Sequence, residues 1–325
     1  MRVALVGLGA VGGRIARQLA ADDAVTELWV HHRDPAVAGR LAGGLGPTVS
    51  AREGVQPENV DAVVLAGPAG THASLARRTI AAGRPVVSVS DAMGDTRSLL
   101  ALDAVARERG VSVVVGAGFA PGLTGVVARY ASLALDRVHE VHVAKFGTGG
   151  PACARQHHHS LGARAVEWRD GRWVPRSGGA GRHLNWFPEP VGGADCYYAA
   201  LPDPLLLRQL FPEASRLTAR IAATRRDRLT ARLPMLRRPH PEGTVGALRV
   251  ELRGEVAGER VVRVFGASAA PAAAAATVAA GAALAVAKGA TSPGAGALAG
   301  HVDSVAFLAT LAEHGLRVAS FVGKP

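Results

Sequence analysis

Near its start the chain reads Gly7-Leu8-Gly9-Ala10-Val11-Gly12, glycines at the spacing G-x-G-x-x-G. That spacing suits a phosphate cradle. Gly7 permits a tight turn, Gly9 has no Cβ and lets a pyrophosphate approach the backbone, and Gly12 lets a following helix lie close to the preceding strand. Ala10 and Val11 complete the loop, at the start of a helix whose N–H groups face the phosphates. Further along, Asp91, Lys145 and the run His157-His158-His159 are of types that move protons or hold charge. Lys145 stands out because all but three of the 37 basic residues are arginine, the others being Lys288 and Lys324. A lysine can lose its proton when desolvated and an arginine cannot. Lys145 is therefore a candidate for proton transfer or for holding a substrate carboxylate, against a solvated lysine at a strand end. Asp91 can take a proton, hold a substrate ammonium, or cap a helix expected near Asp95. His158 and His159 are candidate proton donors, since imidazole titrates near neutrality, against simple packing between domains. If the run is extended, only His157 and His159 share a face. No nearby carboxylate or cysteine completes a ligand set, so no metal site is expected.

Several elements must position these groups. Residues 2–6 are a short apolar run suited to a buried parallel strand, and residues 14–19 read as a helix with Ile15 and Leu19 on one face. A second strand, 27–31, leads into His32-Arg33-Asp34-Pro35. NAD-binding folds place a carboxylate at this strand tip, and none stands there. Arg33, next to His32, can instead hold a 2′-phosphate. NADP(H) is favoured over NAD(H), with Asp34 keeping the second open. Residues 60–66 form the next strand, and Ala66, Gly67, Pro68 and His72 lie in or beside the loop at its carboxyl end. A helix over 73–82 follows, then a strand over 85–90 that brings Ser90 and Asp91 to its tip. A helix over 95–109 and a strand over 111–115 lead to Gly116-Ala117-Gly118-Phe119-Ala120-Pro121-Gly122-Leu123, with Phe119 and Pro121 facing the cofactor. This alternation predicts an α/β fold whose first domain, residues 1–122, is a Rossmann domain, a doubly wound parallel sheet.

The second half has another texture. Residues 138–145 alternate with period two, as a half-buried strand does. Residues 172–174, 247–252 and 260–265 are further strands, the last two joined by a turn at 256–259. Residues 123–297 thus read as an α+β substrate and dimerisation domain with a mostly antiparallel sheet. The alanine-rich stretch 267–290 reads as a packed soluble helix, and residues 298–325 as a helix and strand, ending near Val322, that return to the nucleotide domain.

Composition narrows the function. A chain of 325 residues with 48% hydrophobic and 19% charged residues is globular and large enough for two domains. The net charge of +11 comes from scattered arginines with few aromatics between them, which favours anionic ligands but not nucleic acid. Cys153 and Cys196 make no metal-spaced pair, and a reduced, cytoplasmic protein is expected. No signal peptide or membrane span is expected.

Four stretches together resemble the saccharopine dehydrogenase-like oxidoreductases, which include saccharopine reductases and lysine ε-dehydrogenases. They are Gly7 to Gly12, Val86-Val87-Ser88-Val89-Ser90-Asp91, the loop Gly116 to Leu123, and Trp186-Phe187-Pro188-Glu189-Pro190-Val191-Gly192. The resemblance implies a homodimer and hydride transfer between a nicotinamide and a carbon bearing nitrogen, by imine reduction or amine oxidation, on a small amino-acid-like substrate. It does not carry over which substrate. Trp186 and Phe187 can wall a pocket or serve as core. Two alternatives stay open. One is a C–OH dehydrogenase resembling the glucose–fructose oxidoreductase group, which Pro68 to His72 also suits, although that group's E-K-P is missing. The other is a non-catalytic NADP-binding regulator.

Overall fold

The structure is a computed structural model, and it describes residues 1–235 and 238–321. Its strands are β1 (Arg2–Val6), β2 (Glu27–His31), β3 (Val49–Ala51), β4 (Ala62–Leu65), β5 (Val86–Ser88), β6 (Ser112–Val115), β7 (Arg137–Phe146), β8 (Arg164–Arg169), β9 (Arg172–Ser177), β10 (His183–Trp186), β11 (Gly193–Tyr198), β12 (Arg216–Ala222), β13 (Gly246–Val256), β14 (Glu259–Ala269), β15 (Gly294–Ala297) and β16 (Ala319–Phe321). They form two sheets. The first runs β15-β6-β5-β4-β1-β2-β3 with every pair parallel. The order reverses between β1 and β4, where the carboxyl ends of strands leave a crevice for a ligand. β4, β5 and β6 are buried throughout, as a sheet covered on both faces requires. The second sheet runs β10-β11-β12-β7-β13-β14-β16, with β8 and β9 branching from β12. Only its β12–β7 pair is parallel among the described strands. The β13–β14 hairpin turns at Ala257-Gly258, with φ of 52° and 83°. The expected two-sheet α/β architecture is what the chain adopts.

The two halves are interleaved. The helix Pro271–Ala287 is mostly alanine and lies against the helix Gly12–Ala20 and strands β4 and β5. Gln18 Nε2 donates to Thr277 Oγ1 at 2.9 Å across that contact. β15 then extends the parallel sheet beside β6. One apolar cluster runs from Val3 and Leu5 through Val126 and Ala279 to Val141 and Leu252, joining both sheets. Residues 271–297, expected in the second domain, thus supply a helix and a strand to the first sheet. The last strand does the opposite of what was expected. β16 pairs with β14 in the second sheet, whose outer edge it covers. Residues 322–325, with the expected strand end at Val322, lie outside the described residues.

Two local expectations also change. Residues 95–109 are two helices, Met93–Leu100 and Asp103–Glu108. The break brings Asp103 Oδ1 to the Ala295 N–H at 2.8 Å, a tertiary bond that no local pattern reveals. The histidine run is helical, within Pro151–Gly162, not extended. Gly150, at φ 108°, turns the chain and Pro151 occupies the first helical turn, where its missing N–H costs nothing. Among the described residues, no helix is long and apolar enough to cross a membrane.

In the second sheet the Glu167 side chain is fully buried and is bonded by Arg176 and by Tyr198 Oη at 2.6 Å. Burial pushes its carboxyl up, but Arg176 and Tyr198 outweigh it and hold it below the usual glutamate range. A carboxyl with a lowered folded pKa adds stability above its unfolded pKa, and that stability is lost as pH falls through the folded value. Glu167→Gln should therefore destabilise the protein by about 1–3 kcal/mol at neutral pH, as for a lost charged hydrogen bond. In thermal or urea melts the gap from the parent chain should close as pH drops below about 4.

Candidate active site

The loops after β1, β4, β5 and β6 meet at the crevice in the first sheet. The helix Pro151–Gly162 and Pro241-Glu242 face them, enclosing a cleft of about 1080 Å³. The three motif glycines differ in what they answer to. Gly7 has φ 94°, and a Cβ there would strike the Ala66–Gly67 backbone; a Cβ on Gly12 would strike the Gly7 carbonyl. The fold itself demands both. A Cβ on Gly9 would meet nothing within 4 Å, and Gly9 lines the cleft. The fold leaves that space open on the cleft.

The loop after β6 is pinned by its own backbone. The Gly118 N–H donates to the Pro121 carbonyl at 2.9 Å, and the Leu123 N–H donates to the Gly118 carbonyl at 2.9 Å. Gly122 has φ 128°, and a Cβ would collide with the Gly118 backbone. This holds the Ala120 carbonyl toward β7, where Lys145 Nζ donates to it at 3.3 Å. Lys145 Nζ also lies 3.7 Å from Asp91 Oδ2, with its side chain 8% exposed. Cys153 Sγ is 3.9 Å from the same carboxylate oxygen. Behind them Asp203 accepts from Thr124 Oγ1 at 2.7 Å, and its Oδ2 is buried without a partner. Burial works to lower the Lys145 pKa, but the charges of Asp91, Cys153 and Asp203 more than offset it and hold Lys145 above the usual lysine range. Burial, then Asp91, pushes the Cys153 thiol up, and burial pushes the Asp203 carboxyl up. The result is a protonated ammonium beside one carboxylate that opens on the cleft.

Of the residues singled out from sequence, Gly9, Ala10, Val11, Gly12, Ala66, Gly67, Pro68, Ser90, Asp91, Phe119, Pro121, Lys145 and His159 line this cleft. Ser90 also braces it: its Oγ donates to Asp95 Oδ2 at 2.7 Å, and Asp95 accepts the Gly70 N–H at 2.9 Å. Asp91 does not cap the following helix, whose N-cap is Ala92.

The other expected site residues fall outside the cleft wall. Gly7 lies under the loop. His72 is a buried strut between Ser88 Oγ at 2.8 Å and the Gly67 carbonyl at 3.1 Å. His32 Nδ1 accepts the Asp34 N–H at 3.1 Å, and Arg33 is exposed beyond the cleft wall. Asp34 caps the helix Pro35–Leu45 through the Ala36 N–H at 3.0 Å. The helix also separates the histidines. His159 faces the cleft with Arg155 and Gln156. His157 and His158 face a second cavity of about 1010 Å³ on the helix's other side. His158, expected to be catalytic, is 2.9 Å from the Leu233 carbonyl. His157 is pushed down to about 4 by burial and then by the Lys145 charge. Trp186 is 65% exposed and Phe187 is buried with Ala144 and Cys196, so neither walls the cleft. Sequence reasoning missed Arg14, Arg17 and Arg40, which line it. Arg14 donates to the Ala10 carbonyl at 2.7 Å and pairs with Glu242. The one-turn spacing of Arg14 and Arg17, directly after the glycine loop, was the available signal.

The glycine contrast is testable by titration. Gly9→Val should keep the parent melting curve and lose dinucleotide binding, while Gly12→Val should lose the fold. Retained nucleotide affinity in folded Gly9→Val would show that the loop is not the cradle.

A family model described as NADP oxidoreductase, coenzyme F420-dependent, matches residues 2–92. No curated protein sequence matches the chain. Among solved structures, apo saccharopine dehydrogenase (L-Glu forming) from Saccharomyces cerevisiae is similar over 99% of this chain and 100% of that one, with a TM-score of 0.73 and 17% identity. DAP dehydrogenase of C. glutamicum, in complex with DAP, is similar over 93% of this chain and 94% of that one, with a TM-score of 0.51 and 14% identity. An engineered D-amino acid dehydrogenase bound to NADP+ has a TM-score of 0.50 at 13% identity over 93% of this chain and 94% of that one. The chain has the fold of these dehydrogenases.

Proposed function

We propose that the protein is an NADP(H)-dependent oxidoreductase, acting as a homodimer. It transfers hydride between the nicotinamide and a carbon bearing nitrogen in a small amino-acid-like substrate, by imine reduction or amine oxidation. The observation that carries this reading is the Asp91–Lys145 pair, 3.7 Å apart, in the wall of the cleft that the glycine loop opens. Bound in that cleft, a nicotinamide dinucleotide would supply or accept the hydride, with the glycine loop, Phe119 and Pro121 holding it. The glycine loop and the start of the helix Gly12–Ala20 hold the pyrophosphate. Phe119 and Pro121 wall the nicotinamide end. Lys145, kept protonated, holds a substrate carboxylate. Asp91 faces the substrate nitrogen. In the oxidative direction it takes one proton from the ammonium before the C–H bond breaks as hydride, and in the reductive direction it returns that proton to nitrogen. His159 offers a route for the proton to solvent. A second reading rests on the same ammonium, which would also polarise a carbonyl oxygen and support C–OH oxidation. Turnover of polyols and not of amines would favour it. Binding of NADPH with no turnover of any imine or carbonyl would mark a regulator.

Two measurements test the leading reading. Lys145→Met should reduce turnover by about 10²–10⁴-fold, the size of a lost charge or proton-transfer group, with little change in dinucleotide affinity. Asp91→Asn removes the proton acceptor and should lower turnover by about 10²–10⁴-fold, and in the activity that remains the alkaline limb of the pH–rate profile should move to lower pH. Burial lowers the Lys145 pKa and Asp91 raises it, so losing the carboxylate lets the ammonium deprotonate earlier. An unmoved alkaline limb would remove Lys145 from the chemistry. Cofactor choice is read by calorimetry. NADPH should bind more tightly than NADH, and Arg33→Ala should weaken NADPH by about 1.5–3 kcal/mol and leave NADH nearly unchanged. Loss on Arg40→Ala with none on Arg33→Ala would move the 2′-phosphate to the cleft wall at Arg40.

A further inference from the structure

One face of the second sheet is covered by the helices Leu123–Ser132 and Asp203–Leu210. Val141, Val143, Leu217, Ala219, Val250 and Leu252 form its buried side. The alternate residues of the same strands point the other way, and they are charged. His142 on β7 stands between Thr218 on β12 and Glu251 on β13. Arg216 and Arg220 flank Thr218, and Arg249 and Arg253 flank Glu251. With His183 and Asn185 of β10, His142, Glu251 and the four arginines wall a depression of about 80 Å³.

Four guanidinium groups face one carboxylate in that wall. Glu251 accepts from Arg249 at 2.6 Å and from Arg253 at 2.8 Å. Glu140, at 2.7 Å from His142 Nε2, adds a second carboxylate nearby. Arg216 reaches Glu167 only at 3.9 Å, and Glu167 is already held by Arg176 and Tyr198. Arg220 has no carboxylate partner among the described residues. It donates to Thr218 Oγ1 at 3.3 Å and stacks over the Tyr198 ring at 4.3 Å. Burial is the largest influence on Arg220 and acts against its charge. The Nε–H groups of both Arg216 and Arg220 are buried without an acceptor. Buried donors almost always have partners, because an unmet one carries its full desolvation cost. Four guanidinium groups around an open depression, one of them without a carboxylate partner among the described residues, call for an anion.

We propose that this face binds a tetrahedral oxyanion, inorganic phosphate or the phosphoryl group of a small phosphate monoester, at a site separate from the dinucleotide cleft. The depression has room for one such group. Guanidinium forks match its oxygens. The site does not depend on the function proposed for the cleft.

The test is calorimetric titration with inorganic phosphate and with glycerol 3-phosphate at constant ionic strength. The parent chain and Gly9→Val should both bind phosphate saturably, at one site on this face. Arg220→Gln should bind about 10- to 100-fold more weakly, as for one lost charged hydrogen bond. Arg253→Gln, whose side chain is 51% exposed, gives a second folded variant that should also bind more weakly. Tighter binding of the monoester would assign the phosphoryl group of a metabolite, and equal or weaker binding would assign free phosphate. No saturable binding to the parent chain would overturn the proposal. So would binding that survives in both arginine variants and disappears in Gly9→Val, since the ion would then sit in the cleft. A change of oligomeric state in Arg220→Gln without phosphate binding to the parent chain would make the face a contact between chains and also overturn it.

Discussion

A buried ammonium needs compensation from its surroundings, since taking an ion out of water costs several kcal/mol. Lys145 finds that compensation in separate parts of the chain. Asp91 comes from the end of β5, the Ala120 carbonyl from the loop after β6, and Asp203 from a helix that packs on the second sheet. Lys145 itself sits on β7 of that second sheet. Its charge is therefore satisfied only when the two sheets are assembled in this arrangement. The place where they meet through this charge is also where the cleft is deepest in chemistry.

The first sheet was readable because its signals are local. Apolar runs such as Ala62–Leu65, ended by glycine-rich turns, need no distant partner to be recognised. The loop Gly116 to Gly122 was also legible, and its Gly118 and Gly122 answer to a close approach of its own backbone. What escaped depended on contacts far along the chain. Gly294–Ala297 reads as nothing in particular, yet it completes the parallel sheet because β6 offers a free edge. Ala319–Phe321 joins β14 for the corresponding reason. His157 to His159 were legible as residue types but not as directions, and one residue along a helix turns a side chain by about 100°. That turn is the difference between His159 on the cleft and His158 behind it.

The helix carrying those histidines is fixed against the nucleotide side by missing side chains. A Cβ on Gly150 would lie 2.6 Å from the Ala10 Cβ, and one on Gly149 would lie 3.1 Å from the Ala272 nitrogen. Two consecutive glycines thus let the helix start sit on the glycine loop and on the helix Pro271–Ala287. The positive end of that helix dipole adds to Lys145 and to Arg14 and Arg17 around the cleft. Basic groups thus stand at both ends of the cleft, Arg14 and Arg17 at one and Lys145 at the other.

The identity of residue 145 follows from the same geometry. In a chain that otherwise uses arginine almost everywhere, the slot between Asp91, Ala120 and Asp203 holds a compact ammonium. A planar guanidinium would need wider spacing and would lock onto Asp91 through two parallel bonds. Lys145 instead makes one hydrogen bond, to Ala120, and a looser ion pair to Asp91 at 3.7 Å. A tetrahedral ammonium with three donors is left with capacity for a further oxygen. A pair that is loose in the free protein can take a substrate group between or beside its members without first breaking a bidentate bridge. The lysine therefore offsets Asp91 and the buried Asp203 and still keeps donor capacity on the cleft.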